Sequence, residues 1–93
     1  MENKLLTIFN TYGKSHQVSK LLEEVGEFIE TVINGDKENM VQEMADCMVM
    51  LKQFIEYYHI DGNDILRIMN EKIDRTISRI EEGYYDKWDL ERY

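Results

Sequence analysis

Between Val18 and Ile33 apolar residues return every three or four positions: Val18, Leu21, Leu22, Val25, Phe28, Ile29, Val32 and Ile33. That is the period of an α-helix, in which such positions share one face, and no strand-like alternation of useful length competes with it elsewhere in the chain. The sequence contains no proline, so nothing breaks the pattern from within, and Asn34-Gly35-Asp36 is the first point that stops it. Leu5, Leu6, Ile8 and Phe9 predict a short first helix ending near Tyr12 and Gly13. The second helix is expected to start from Ser15 as its N-cap, a third to run from about Lys37 to His59, and a fourth from Gly62 or Asn63 to about Glu82. Short connections make successive helices antiparallel neighbours. The expected fold is therefore all-α, a compact antiparallel bundle of about four helices in a single domain spanning residues 1–93.

A chain of 93 residues buries a modest share of its own surface. The run Met44, Ala45, Cys47, Met48, Val49, Met50 and Leu51 makes the third helix apolar on nearly every side, so it is expected to be buried nearly all round. Both features predict a homo-oligomer, a dimer or a tetramer, that covers what one copy leaves open. Met40, Met44, Met48, Met50 and Met69 read as core filling. The net charge of −8, with Lys and Arg scattered, opposes binding to polymeric nucleic acid. No apolar run approaches the roughly 20 residues that cross a bilayer, so no membrane association is expected. Cys47 is alone, which excludes an internal disulfide framework, and it reads as an inert core thiol. With no signal-peptide core near the start, the cytoplasm is the expected compartment.

Charge nevertheless enters the expected interior. At about 100° per residue, Gln17, Lys20, Glu24, Glu27 and Thr31 form a polar stripe along the flank of a second helix whose apolar face centres on Val18 and Val25. Glu24 and Glu27 are one turn apart on that stripe. On the third helix Asp46 interrupts the apolar run, and Glu43 projects from the same side three residues earlier. A buried carboxylate costs several kcal/mol unless a cation or hydrogen bonds compensate it. Folding the two helices antiparallel across Asn34-Gly35 can bring Glu24, Glu27, Glu43 and Asp46 around one cavity, where they repel one another unless divalent ions lie between them. The donors are all oxygen, no Glu-x-x-His pair is present, and His16 and His59 stand apart. That set favours Mg²⁺, with Mn²⁺ as a substitute, over zinc or a di-iron centre. Asp61-Gly62-Asn63-Asp64 lacks the spaced ligands of a calcium loop and reads as the N-cap of the fourth helix.

The segment Leu22-Glu23-Glu24-Val25-Gly26-Glu27-Phe28, followed by Glu43-Met44-Ala45-Asp46, resembles the EExxE and ExxD signature of the MazG-like all-α nucleoside triphosphate pyrophosphohydrolases. The resemblance covers roughly Gln17 to Arg79. It implies hydrolysis of a ribo- or deoxyribonucleoside triphosphate between the α and β phosphates, giving a monophosphate and pyrophosphate, in nucleotide-pool cleaning or control. By the same analogy Glu24, Glu27, Glu43 and Asp46 hold Mg²⁺, and Glu23 is a candidate for the general base or for support of the ligands. Lys72, Arg75 and Arg79, on one side of the fourth helix, suit the leaving pyrophosphate, with help from Lys20. Gln17 is a further candidate for substrate contact. Each assignment has a plainer competitor. Glu23, Glu24 and Glu27 also suit a solvated helix face, the basic residues surface pairs with Glu71 or Asp74, and Gln17 an exposed helix start. The whole chain also suits a non-catalytic dimeric module whose acidic patch binds a basic partner. The tail aromatics Tyr84, Tyr85, Trp88 and Tyr93 suit stacking on a base or packing against a neighbouring subunit, and packing is the expected reading.

Overall fold

Asn3 starts the first helix by accepting a hydrogen bond from the Leu6 backbone N–H at 3.2 Å. In the computed structural model, which describes residues 3–83, four helices follow one another: α1 (Lys4–Tyr12), α2 (Lys14–Asn34), α3 (Lys37–Tyr57) and α4 (Gly62–Glu81). No strand occurs among the described residues, so the all-α expectation holds. The tail aromatics named above lie outside them. No described helix is long and apolar enough to cross a membrane.

The turns explain where the helices stop. Gly13, at φ 88° and ψ 158°, closes α1 through its N–H to the Phe9 carbonyl and is at once the cap of α2. Ser15 therefore lies inside α2, one position past its first residue, and the expectation that it caps the helix is corrected: a single glycine with positive φ joins the two helices and leaves no room for a separate cap. Gly35 ends α2 in the left-handed region, φ 66° and ψ 25°, with Asp36 N–H returning to the Thr31 carbonyl at 3.0 Å, the pattern of a Schellman closure. Asp36 then caps α3 by accepting from Asn39 N–H at 3.2 Å. Asp61 caps α4 by accepting from Asn63 N–H at 2.9 Å, as expected for the Asp61-Gly62-Asn63-Asp64 segment.

The helices fall into two compact units, α1–α3 and α4. Within the first, α3 packs against both α2 and α1. The two-residue turn at 35–36 folds α3 back along α2, so the start of one lies beside the end of the other. Phe9 of α1 is fully buried; it meets Phe54 edge-on at 5.3 Å and stacks on Tyr57 at 4.4 Å, which ties α1 to the end of α3. The expectation that α3 is buried all round is corrected within one chain. Met50 and Gln53 are its buried residues, Cys47 is half-buried, and Met44, Met48, Val49 and Leu51 are exposed, because α1 and α2 cover one sector of the helix and nothing in this unit covers the other. Met50 is core filling as expected; Met44, Met48 and Met69 are exposed in the single chain.

The apolar face of α2 is also open. Val18, Leu22, Val25, Ile29, Val32 and Ile33 are exposed, up to 77% at Ile33, whereas Gln17 and Glu24 are buried. Its polar stripe faces α3. In the second unit α4 presents Leu66, Met69, Ile73, Ile77 and Ile80 as an exposed apolar stripe.

Candidate functional site

Because α2 turns its polar stripe inward, the carboxylates of α2 and α3 meet. Glu24 and Glu27, one turn apart on α2, and Glu43 on α3 each offer a carboxylate oxygen within 4.8 Å of the other two. Glu24 is 8% exposed, and its Oε1 takes an ion pair from Lys20 Nζ at 3.3 Å. Its other oxygen, Oε2, is buried without a hydrogen-bond partner, and so is Glu43 Oε2. Desolvated acceptors of this kind carry the full penalty of lost hydration. Two of them in one cluster of carboxylate oxygens fit a divalent cation.

The electrostatics follow from crowding. Glu27 is pushed up to about 7 by the charge of Glu24, then by burial and by the charge of Glu43. Glu43 is also raised, by burial first and by the neighbouring carboxylates. Burial, reinforced by Glu24, Glu43, Asp46 and Glu27, pushes the Cys47 thiol up as well, so it stays protonated and unreactive near neutrality. Lys20 moves up because it bonds to Glu24 and to Glu23. The site is thus a place where negative charge is in excess and one more cation is favoured.

Not every residue expected at the site comes together there. Asp46 is exposed on α3, one turn beyond Glu43 and outside the trio, although its charge reaches Glu43 and Cys47. Glu23 points to solvent and pairs with Lys20 at 3.4 Å. Gln17, for which an exposed helix start was the plainer reading, is buried and donates from Nε2 to Gln53 Oε1 at 2.8 Å. Lys72 and Arg75 are exposed on α4, with Arg79 half-buried on the same side. Two features went unread in the sequence. Beside Glu27 and Glu43 a cavity of about 340 Å³ opens toward the turn, walled by Thr31, Asn34, Asp36 and Asn39. Gln53 is the other: it is buried against Gln17, and a lone glutamine on a helix carries no motif that marks it.

A model of the MazG nucleotide pyrophosphohydrolase domain matches residues 13–79, which takes in α2, α3 and most of α4. No curated protein and no solved structure matches the chain.

Proposed function

Since the chain belongs to the MazG nucleotide pyrophosphohydrolase domain family, we propose that it is a Mg²⁺-dependent enzyme that hydrolyses a nucleoside triphosphate at the α-β bond to the monophosphate and pyrophosphate. The observation that carries this reading is the convergence of Glu24, Glu27 and Glu43 with two buried oxygens left unpartnered. These three hold the cation, and Asp46, one turn along α3, joins them as the fourth ligand. Mn²⁺ is the substitute ion. When bound, the metal draws charge from the phosphate oxygens and lowers the pKa of an attacking water.

The chain's own residues do the rest. Lys20 holds the Glu24 carboxylate through its ion pair at 3.3 Å and adds positive charge beside the phosphates. Glu23 holds Lys20 from the solvent side, an outer support for Glu24. Lys72, Arg75 and Arg79 lie on one side of α4 and neutralise the leaving pyrophosphate. The cavity beside Glu27 and Glu43 gives part of the substrate room next to the ligands. We read the chain as one cytoplasmic domain that works as a homodimer or homotetramer in nucleotide-pool cleaning or control; the open apolar face of α2 supports the assembly.

The test is pyrophosphate release from a panel of ribo- and deoxyribonucleoside triphosphates, with Mg²⁺ or with EDTA, by the native chain and Glu43→Gln. Monophosphate and pyrophosphate formed with metal, and lost in the variant, are expected. A folded protein that turns over no triphosphate refutes the reading and leaves a non-catalytic acidic module.

A further inference from the structure

The seam between α2 and α3 contains a second buried polar group, which the metal site does not use. Gln53 is 1% exposed and Gln17 3%. Gln17 Nε2 donates to Gln53 Oε1 at 2.8 Å, Gln53 Nε2 reaches Met50 Sδ at 3.5 Å, and His16 Nδ1 lies 2.8 Å from Gln17 Oε1. Both amides are engaged on their donor and acceptor sides. Neither is needed to fill space, since an apolar pair of similar volume buries as well without the desolvation cost.

Their position gives the pair a purpose. Gln17 precedes Glu24 by seven residues and Gln53 follows Glu43 by ten, so the pair closes the seam at the end opposite the Gly35 turn, with the carboxylates between. Apolar contacts are non-directional and tolerate sliding of one helix along another, while three crowded carboxylates push the helices apart. A buried amide bond is directional and is satisfied in one alignment, which is how single buried polar groups fix register in packed helices. Among the described residues no other side-chain hydrogen bond crosses from α2 to α3 outside the acidic cluster.

We propose that Gln17 and Gln53 are positioning residues, a register lock that aligns α2 with α3 so that Glu24, Glu27 and Glu43 meet, making divalent-cation affinity depend on a bond about two helical turns away. The inference rests on the metal reading above and gives Gln17 a positioning role in place of substrate contact. Gln53→Leu alone strands the Gln17 amide and destabilises the fold; Gln17→Leu/Gln53→Leu removes both polar groups at nearly constant volume and keeps it.

The experiment compares native protein and the double variant by two readouts. One is Mn²⁺ affinity by calorimetry. The other is metal-free: pulsed electron resonance between nitroxides at Lys14→Cys and Lys52→Cys in a Cys47→Ser background, diluted with unlabelled protein. The double variant is expected to melt at or above the native temperature, to bind Mn²⁺ at least tenfold more weakly, and to show a shifted or broadened distance distribution. Native Mn²⁺ affinity in the variant, or an unchanged distribution, overturns the lock. Native protein that binds no Mn²⁺ overturns the metal reading instead, and the distance distribution then decides the lock by itself. Gln53→Asn, which keeps the amide and shortens its reach, gives the same comparison if the double variant folds poorly.

Discussion

Acidification offers a quantitative test of the carboxylate cluster. Glu27 titrates at about 7 where an unperturbed glutamate titrates at 4.5, chiefly because Glu24 already carries charge beside it. A cation bound by these groups needs them ionised, so binding expels the Glu27 proton wherever that proton is present. One pH unit below its pKa the group is about nine-tenths protonated, so Mn²⁺ affinity is expected to fall about tenfold between roughly pH 8 and pH 6. Calorimetry in two buffers of different ionisation enthalpy measures affinity and proton release together, and Glu27→Gln removes most of the pH dependence along with part of the affinity. The metal-free protein shows the opposite sign. The folded value of Glu27 lies above its unfolded one, so its contribution to stability is complete below about 4.5 and is lost as the pH rises through about 7, as linkage requires. Melting curves in EDTA, native against Glu27→Gln, isolate that contribution. An affinity flat across this window, with no proton released, refutes the argument.

Three further outcomes follow from the same geometry. Glu43→Gln keeps the shape of the side chain and removes one charge from the trio, so the metal-free melting temperature is expected to rise while triphosphate turnover drops roughly a hundredfold or more, read by thermal melts and pyrophosphate release. Gly35→Ala places a Cβ at φ 66° in open space, so the cost is backbone strain alone, about 1 kcal/mol, seen as a lower denaturation midpoint with an unchanged slope. Leu22→Glu/Ile29→Glu puts charge on the open face of α2 and is expected to reduce the assembly to monomers in sedimentation velocity; a variant that sediments like the native chain places the interface elsewhere.

The helices were legible in the sequence because α2 and α3 are long and interrupted only where Asn34-Gly35-Asp36 demands a left-handed residue and a cap. The start of α2 was not, because Ser15 is a good cap by type and what displaced it is the backbone freedom of Gly13, which residue preference does not reveal. Glu24, Glu27 and Glu43 could be grouped by spacing alone. Asp46 fits the same spacing, yet it is exposed, since an i, i+3 relation sets which side of a helix a residue takes and not how far it reaches into the seam. Gln53 escaped because a lone glutamine on a helix carries no motif; its meaning comes from Gln17, on a different helix.

The least expected property of the chain is that α2 is inverted, with charge inside the seam and aliphatic side chains outside. Burying a Leu, Ile or Val contributes about 1.5–3 kcal/mol. The six exposed residues Val18, Leu22, Val25, Ile29, Val32 and Ile33 are on average a little over half exposed, so covering them contributes roughly 5–10 kcal/mol. That is as large as the whole stability of a typical small domain. The carboxylate seam works in the other direction, since Glu24, Glu27 and Glu43 repel and two of their oxygens are desolvated without partners. A single chain therefore keeps its repulsive groups together and leaves its cohesive ones in water, an arrangement that helix propensity alone does not sustain. In the proposed assembly a cation and a second copy would each remove one side of the imbalance: the ion would neutralise the seam, and the partner would cover the aliphatic face on the opposite flank of the same helix. Because both would act on α2, each would favour the folded form that the other binds, so the proposed assembly and metal binding are expected to reinforce one another. Mn²⁺ added to the native chain is expected to raise the sedimenting mass at a given protein concentration, and an unchanged mass refutes the coupling.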